Sequence, residues 1–171
     1  MMGDLAKELD FHFIRCGKVL VGNTEEDMET LKRTMEQGKD NGATNLELID
    51  EKRLHELVPA VVGKFAMFSH NSGIVDPFGY TIALAENAHA NGVEYHFGCE
   101  VTAIRREDDD TYEITTTKGN FKTRWVVNCA GLGCGKISDM LGITGYRIIG
   151  SKGDYIILDK RTGPLLPMPV Y

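Results

Sequence analysis

Apolar and polar positions change period along this chain, and each change marks an element. Residues 11–15 and 18–22 are short apolar-rich runs on either side of Cys16-Gly17; they predict two short strands or one bulged strand. Met28, Leu31 and Met35 then recur at helical spacing. Asn23 reads as the cap of that helix with Glu26 at its third position, and Gly38 and Gly42 around Asn41 as its stop. Residues 46–49 predict a strand. Asp50 caps a second helix, which ends at Val58-Pro59 because a residue before proline avoids helical geometry. Residues 64–69 alternate weakly and predict a strand. Asp76-Pro77 opens an Ala-rich helix over residues 77–91, closed by Asn91-Gly92.

From residue 93 the period shortens. Residues 93–97 predict a strand, as do residues 100–106, with Val101, Ala103 and Ile104 as buried positions. The acidic run 107–110 is a hairpin loop. Residues 111–117 alternate as a half-exposed antiparallel strand, and residues 118–120 turn the chain back. Residues 121–123 lead into 125–127, which reads as a buried strand of parallel type. It ends in the small-residue turn Asn128-Cys129-Ala130-Gly131, and a helix follows from about Gly135 to Leu141. Small residues at such a strand end let a ligand approach the backbone closely. Residues 147–149 and 154–158 predict two more strands, and Gly163, Pro164, Pro167 and Pro169 break regular structure.

Composition narrows the function classes. The 171 residues suffice for a real core, and 42% hydrophobic with 26% charged residues is ordinary for a globular protein. A net charge of −6 without a Lys/Arg cluster argues against a nucleic-acid partner. No apolar run reaches the ~18 residues of a membrane span. The first ten residues lack a secretory apolar core. The expectation is cytoplasmic residence, with attachment to a membrane surface left open. Cys16, Cys99, Cys129 and Cys134 form no CxxC pair and read as reduced thiols, with no metal site.

Ala130-Gly-Leu-Gly-Cys-Gly-Lys136 fails two phosphate-loop patterns. Ala130 stands where a Walker A loop needs glycine and Ile137 where it needs a hydroxyl; Gly135 comes one residue early for GxGxxG. His70 is a candidate acid/base because imidazole titrates near neutrality, or a plain surface polar residue. His12, His55, His89 and His96 carry no assigned chemistry, and Asp76 is a helix cap rather than a catalytic carboxylate.

Three stretches together carry a resemblance: SGIVDPFGYTIALAENAHANGVEYHFGCEVTAI, WVVNCAGLGCGKIS and IIGSKGDYIILDK. They are similar to the D-amino-acid-oxidase-like superfamily of FAD-dependent oxidoreductases, in particular to bacterial glycerol-3-phosphate dehydrogenases and L-2-hydroxyglutarate oxidases. The resemblance implies an α+β fold: a mixed or antiparallel substrate domain interleaved with a partial α/β, Rossmann-like FAD-binding portion. Residues 1–75 would be mainly substrate domain, 76–145 part of the FAD domain, and 146–171 a return to the substrate domain. The chain is thus expected to be an internal segment of a longer enzyme, since the GxGxxG strand–turn–helix that holds the pyrophosphate is not in it.

The resemblance also implies roles. Val101 matches the residue whose backbone meets the adenine ring, and Ala130 and Gly131 match a small-residue turn beside the cofactor. Lys152-Gly153-Asp154-Tyr155 matches a segment facing flavin and substrate, with Asp154 in place of the usual glutamate; Lys152 would attract a phosphate or carboxylate. With Tyr155 and His70 it makes the candidate substrate set. No catalytic base is assigned. The implied reaction oxidises a secondary alcohol on a small phosphorylated or carboxylated substrate, passing hydride to flavin and then electrons to a quinone or other acceptor. A 2-hydroxy-acid or amino-acid oxidase, and a non-catalytic binding module, are the alternatives. FAD is expected in the intact enzyme and not to be retained by residues 1–171 alone, which are expected to self-associate.

Overall fold

The structure is a computed structural model that describes residues 2–159, 161 and 165–171. Two compact units divide it, Met1–Val93 with Leu158–Tyr171, and Glu94–Ile157. All three of its sheets are antiparallel and combine with helices, so the fold is α+β. Among the described residues no helix is long and apolar enough to cross a membrane.

The first unit runs α1 (Met2–Glu8), β1 (Phe13–Ile14), β2 (Lys18–Gly22), α2 (Glu25–Asp40), β3 (Leu46–Asp50), α3 (Glu51–Leu57), β4 (Phe65–Ser69), β5 (Ile74–Val75) and α4 (Pro77–Ala90). Strand β4 is the centre of a sheet ordered β2-β4-β3. Alternation puts Val19, Ile49, Ala66 and Phe68 on one face, where Leu54 of α3, Val58 and Met168 bury against them. Helix α2 covers the other face closely: a Cβ on Gly38 would stand 2.7 Å from Leu46 Cδ1. Gly17, with φ +77°, makes the left-handed turn between β1 and β2 and donates its N–H to Ser72 O at 2.9 Å.

Local chemistry explains the helix ends, with one shift of register. The cap of α2 is Thr24, not Asn23. Thr24 Oγ1 accepts from the Asp27 N–H at 3.2 Å, and Asp27 Oδ2 accepts from the Thr24 N–H at 3.0 Å. This reciprocal pair satisfies two orphan donors, which Asn23 with Glu26 would not. Asp50 and Asp76 cap α3 and α4 as expected, with Pro77 in the first turn. Helix α1 occupies the charged first residues, where the sequence pattern predicts no element. Past residue 164, where Pro167 and Pro169 argued against regular structure, the chain lies parallel to β2. The Val19 N–H donates to Pro169 O (3.1 Å), and Val19 O accepts from the Tyr171 N–H (3.0 Å). Pro169 offers only its carbonyl there, so its missing N–H costs nothing. Gly163 and Pro164 lie outside the described residues.

The second unit contains β6 (Val101–Arg106), β7 (Tyr112–Thr116) and β8 (Gly119–Thr123) as a meander, then a 3-10 turn (Gly131–Gly133) and α5 (Cys134–Asp139). Ile104 is buried but Ala103 is exposed, against expectation. A bulge between Val101 and Ala103 shifts the alternation by one, so Ile104 turns inward opposite Ile114.

Four stretches expected as strands are not strands: 93–97, 125–127, 147–149 and 154–158. Trp125 is 84% exposed and Val127 83%. A strand of parallel type needs neighbours on its hydrogen-bonding edges and cover on both faces. Among the described residues nothing pairs with residues 125–127. The apolar runs are there, but among the described residues no strand pairs with them.

Two outcomes test this description. Leu54, 1% exposed at the centre of the first core, should cost about 2–5 kcal/mol on truncation to alanine, read by urea unfolding followed by circular dichroism; a loss under about 1 kcal/mol would place that side chain outside a core. In the β6–β8 meander, Asp109 is held down to about 2 from its ordinary 3.8, first by the Lys122 ammonium at 2.8 Å and then by the Thr111 hydroxyl. Its contribution to stability is therefore complete above 3.8 and drains as pH falls towards about 2. A carbon-detected NMR titration should find that midpoint, and Lys122→Met should raise it; a parent midpoint at 3.8 would contradict the ion pair.

Candidate functional site

Residues 125–130 lie over the face of the meander that carries Ile104 and Ile114. Between them is a groove of about 400 Å³, lined also by Val101, Thr123 and Ile137. Its walls are mainly aliphatic, with Trp125 as the one aromatic side chain and Thr123, Asn128 and Cys129 also in the lining. No charged side chain lines it. Such a slot suits a flat, weakly polar ring held by dispersion and by backbone groups. It offers nothing to neutralise a diphosphate.

Val101 and Ala130, far apart in sequence, share this groove. Gly131 follows Ala130 but does not line it. Gly131 adopts φ +56°, and a Cβ there would meet nothing within 4 Å. The residue is glycine for the left-handed turn rather than for close approach.

The turn is held by a side chain to which the sequence reading gave no role. Asn128 Oδ1 accepts from the Ala130 N–H at 3.3 Å. Its Nδ2 donates to Cys134 O at 2.9 Å and lies 3.2 Å from Ser138 Oγ, tying the turn to α5. Ser138 is buried and also hydrogen-bonds the Tyr146 hydroxyl. The available signal was an asparagine two residues ahead of a turn amide, the Asx arrangement.

The other candidates stand apart from the groove lining. Lys152 pairs with Asp154 at 2.9 Å, both side chains more than 80% exposed, and Tyr155 is 94% exposed. His70 belongs to the first unit. Its Nε2 is 2.9 Å from Glu47 Oε2 and its ring lies 4.1 Å, centroid to centroid, from that of Phe68. Glu47 thus fixes the imidazole by one nitrogen and leaves Nδ1 for another partner. The four cysteines are free thiols, and no group of three His, Cys, Asp or Glu among the described residues could hold a metal ion.

Known proteins frame this geometry. A glycerol 3-phosphate dehydrogenase of Caloramator mitchellensis is 36% identical over the whole chain, which spans 36% of that protein. The mitochondrial L-2-hydroxyglutarate dehydrogenase of Nematostella vectensis is 28% identical over 96% of the chain and 39% of its own length. Among solved structures, L-proline dehydrogenase from P. horikoshii superposes with a TM-score of 0.75 and 27% identity, over 84% of this chain and 39% of that one. The chain thus spans well under half the length of the relatives it matches. The family model described as FAD dependent oxidoreductase (DAO) matches residues 1–171, and the chain belongs to that family.

Proposed function

We propose that this chain serves a flavin-dependent dehydrogenase that oxidises a secondary alcohol next to an anionic group, with glycerol 3-phosphate as the substrate. The observation that carries the reading is the shared groove of Val101 and Ala130 in a chain of this family. Bound FAD would supply the hydride acceptor, with a quinone or another acceptor taking the electrons onward.

The chain's own residues have narrower tasks. Val101, Ile104 and Ala130 receive the adenine ring of FAD, with the Val101 backbone as its polar contact, and Gly131 sets the turn beside it. The diphosphate takes its donors from residues outside this groove. Lys152 is the cationic handle for the substrate's phosphate, and Tyr155 lies next to it in the same segment. Its present partner, Asp154, is exposed, and such pairs contribute little, so exchange for a dianionic phosphate costs little. His70, held by Glu47, is the proton-accepting candidate. In a longer chain, residues 1–75 and 146–171 would belong to the substrate side and 76–145 to the cofactor side.

The 28% identity to an L-2-hydroxyglutarate dehydrogenase supports a second reading, in which the anionic handle is a carboxylate. Anaerobic mixing separates the two. The longest polypeptide that carries these residues, loaded with FAD, should bleach on adding glycerol 3-phosphate and not L-2-hydroxyglutarate. The reverse result would assign the carboxylate substrate, and no bleaching by either would remove the alcohol-oxidase reading. The 171-residue chain alone should lose flavin on purification, because its groove has no cationic lining for the diphosphate. A yellow preparation holding flavin one-to-one would contradict that.

A further inference from the structure

We propose that Asn128 is a positioning residue for the cofactor groove, acting through Ala130 and α5. The proposal rests on the flavoprotein reading above and assigns to the site a side chain that no sequence motif had singled out.

Three contacts converge on one amide. Its oxygen holds the Ala130 N–H, and its nitrogen contacts two acceptors on α5, the carbonyl of its first residue Cys134 and the buried Ser138 hydroxyl. The two ends of the amide therefore span the two walls that meet at the groove, since Ala130 and Ile137 both line it. Residues 125–130 pair with no strand among the described residues; besides Asn128 they are held by Thr123 Oγ1 against Trp125 and by the Gly133 N–H, which donates to Ala130 O at 2.9 Å, and neither of these reaches α5 through a side chain. Ser138 in turn bonds the Tyr146 hydroxyl, which carries the same network on to the segment after α5. A side chain that loses this latch leaves the apolar run free to leave the Ile104–Ile114 face. The groove then widens or empties before any ligand arrives. Preorganisation of this kind shows in affinity, because an unlatched wall must be reordered on binding.

The test uses three substitutions in the longest polypeptide that carries the chain. Asn128→Ala should weaken FAD binding about tenfold or more, since the hydrogen bonds that hold the wall are removed together. Asn128→Asp keeps the acceptor for Ala130 but turns a carboxylate oxygen, which cannot donate, towards Cys134 O, so binding should stay weaker than in the parent. Ser138→Ala should fall between the parent and Asn128→Ala. The visible circular dichroism of bound flavin should change in Asn128→Ala and by less in Ser138→Ala, which a general loss of stability would not produce. Affinity of Asn128→Ala within about twofold of the parent, or a Ser138→Ala variant weaker than Asn128→Ala, would overturn the proposal.

A second arm needs no cofactor. In the 171-residue chain the Ala130 amide should exchange with solvent about fivefold faster in Asn128→Ala than in the parent, and Asn128→Asp should restore it. Unchanged exchange overturns the latch itself. A parent that binds no flavin while the exchange arm succeeds would instead remove the flavoprotein reading and leave the latch standing.

Discussion

Residues 125–130 form an apolar run that no strand receives, and this constraint shapes the second unit. An extended apolar segment in water must bury its side chains somewhere or remain exposed at a cost of about 25 cal/mol per Å². The meander presents one apolar face, bearing Ile104 and Ile114, and the segment lies over it. Burial is incomplete: Trp125 and Val127 remain open to solvent. The outcome is a groove rather than a core, bounded by a turn that Asn128 ties to α5.

The first unit obeys a different economy. Its central strand β4 is paired on both edges, with Ala66, Met67, Phe68 and Ser69 all buried between α2 on one side and α3 with its following loop on the other. The chain returns to this unit at Met168 and adds a parallel segment outside β2. The apolar residues of its central strand thus have partners. Elsewhere in the unit burial is less complete: Val62 is 89% exposed, and helix α4 has no buried residue, with Phe78 80% exposed.

Much of this was legible in the residues. Helix caps at Asp50 and Asp76, the strand 64–69 and the hairpins 100–123 follow from local chemistry, which acts over three or four residues and does not depend on the rest of the chain. Pairing does depend on it. Residues 125–127 have the composition of a buried strand, but a strand exists only where a neighbour supplies donors and acceptors. The Ala103 error has the same root: alternation predicts facing only until a bulge resets it, and nothing in Val101-Thr-Ala103 announces one. For the site, Val101 and Ala130 were named through family resemblance rather than through spacing, and their meeting in one groove is a long-range fact. Asn128 was hidden by its own neighbours, because Cys129, Ala130 and Gly131 drew attention to the backbone and away from the amide beside them.

The central claim is that Val101 and Ala130 wall one slot for a flat heteroaromatic ring. Titrating the isotopically labelled 171-residue chain with AMP to millimolar concentration, and following methyl and indole NMR signals, tests it most directly. The account predicts saturable shifts concentrated on the methyls of Val101, Ile104, Ile114, Ala130 and Ile137 and on the Trp125 indole. Shifts scattered over the first unit, or none in these methyls at saturation of the titration, would contradict it.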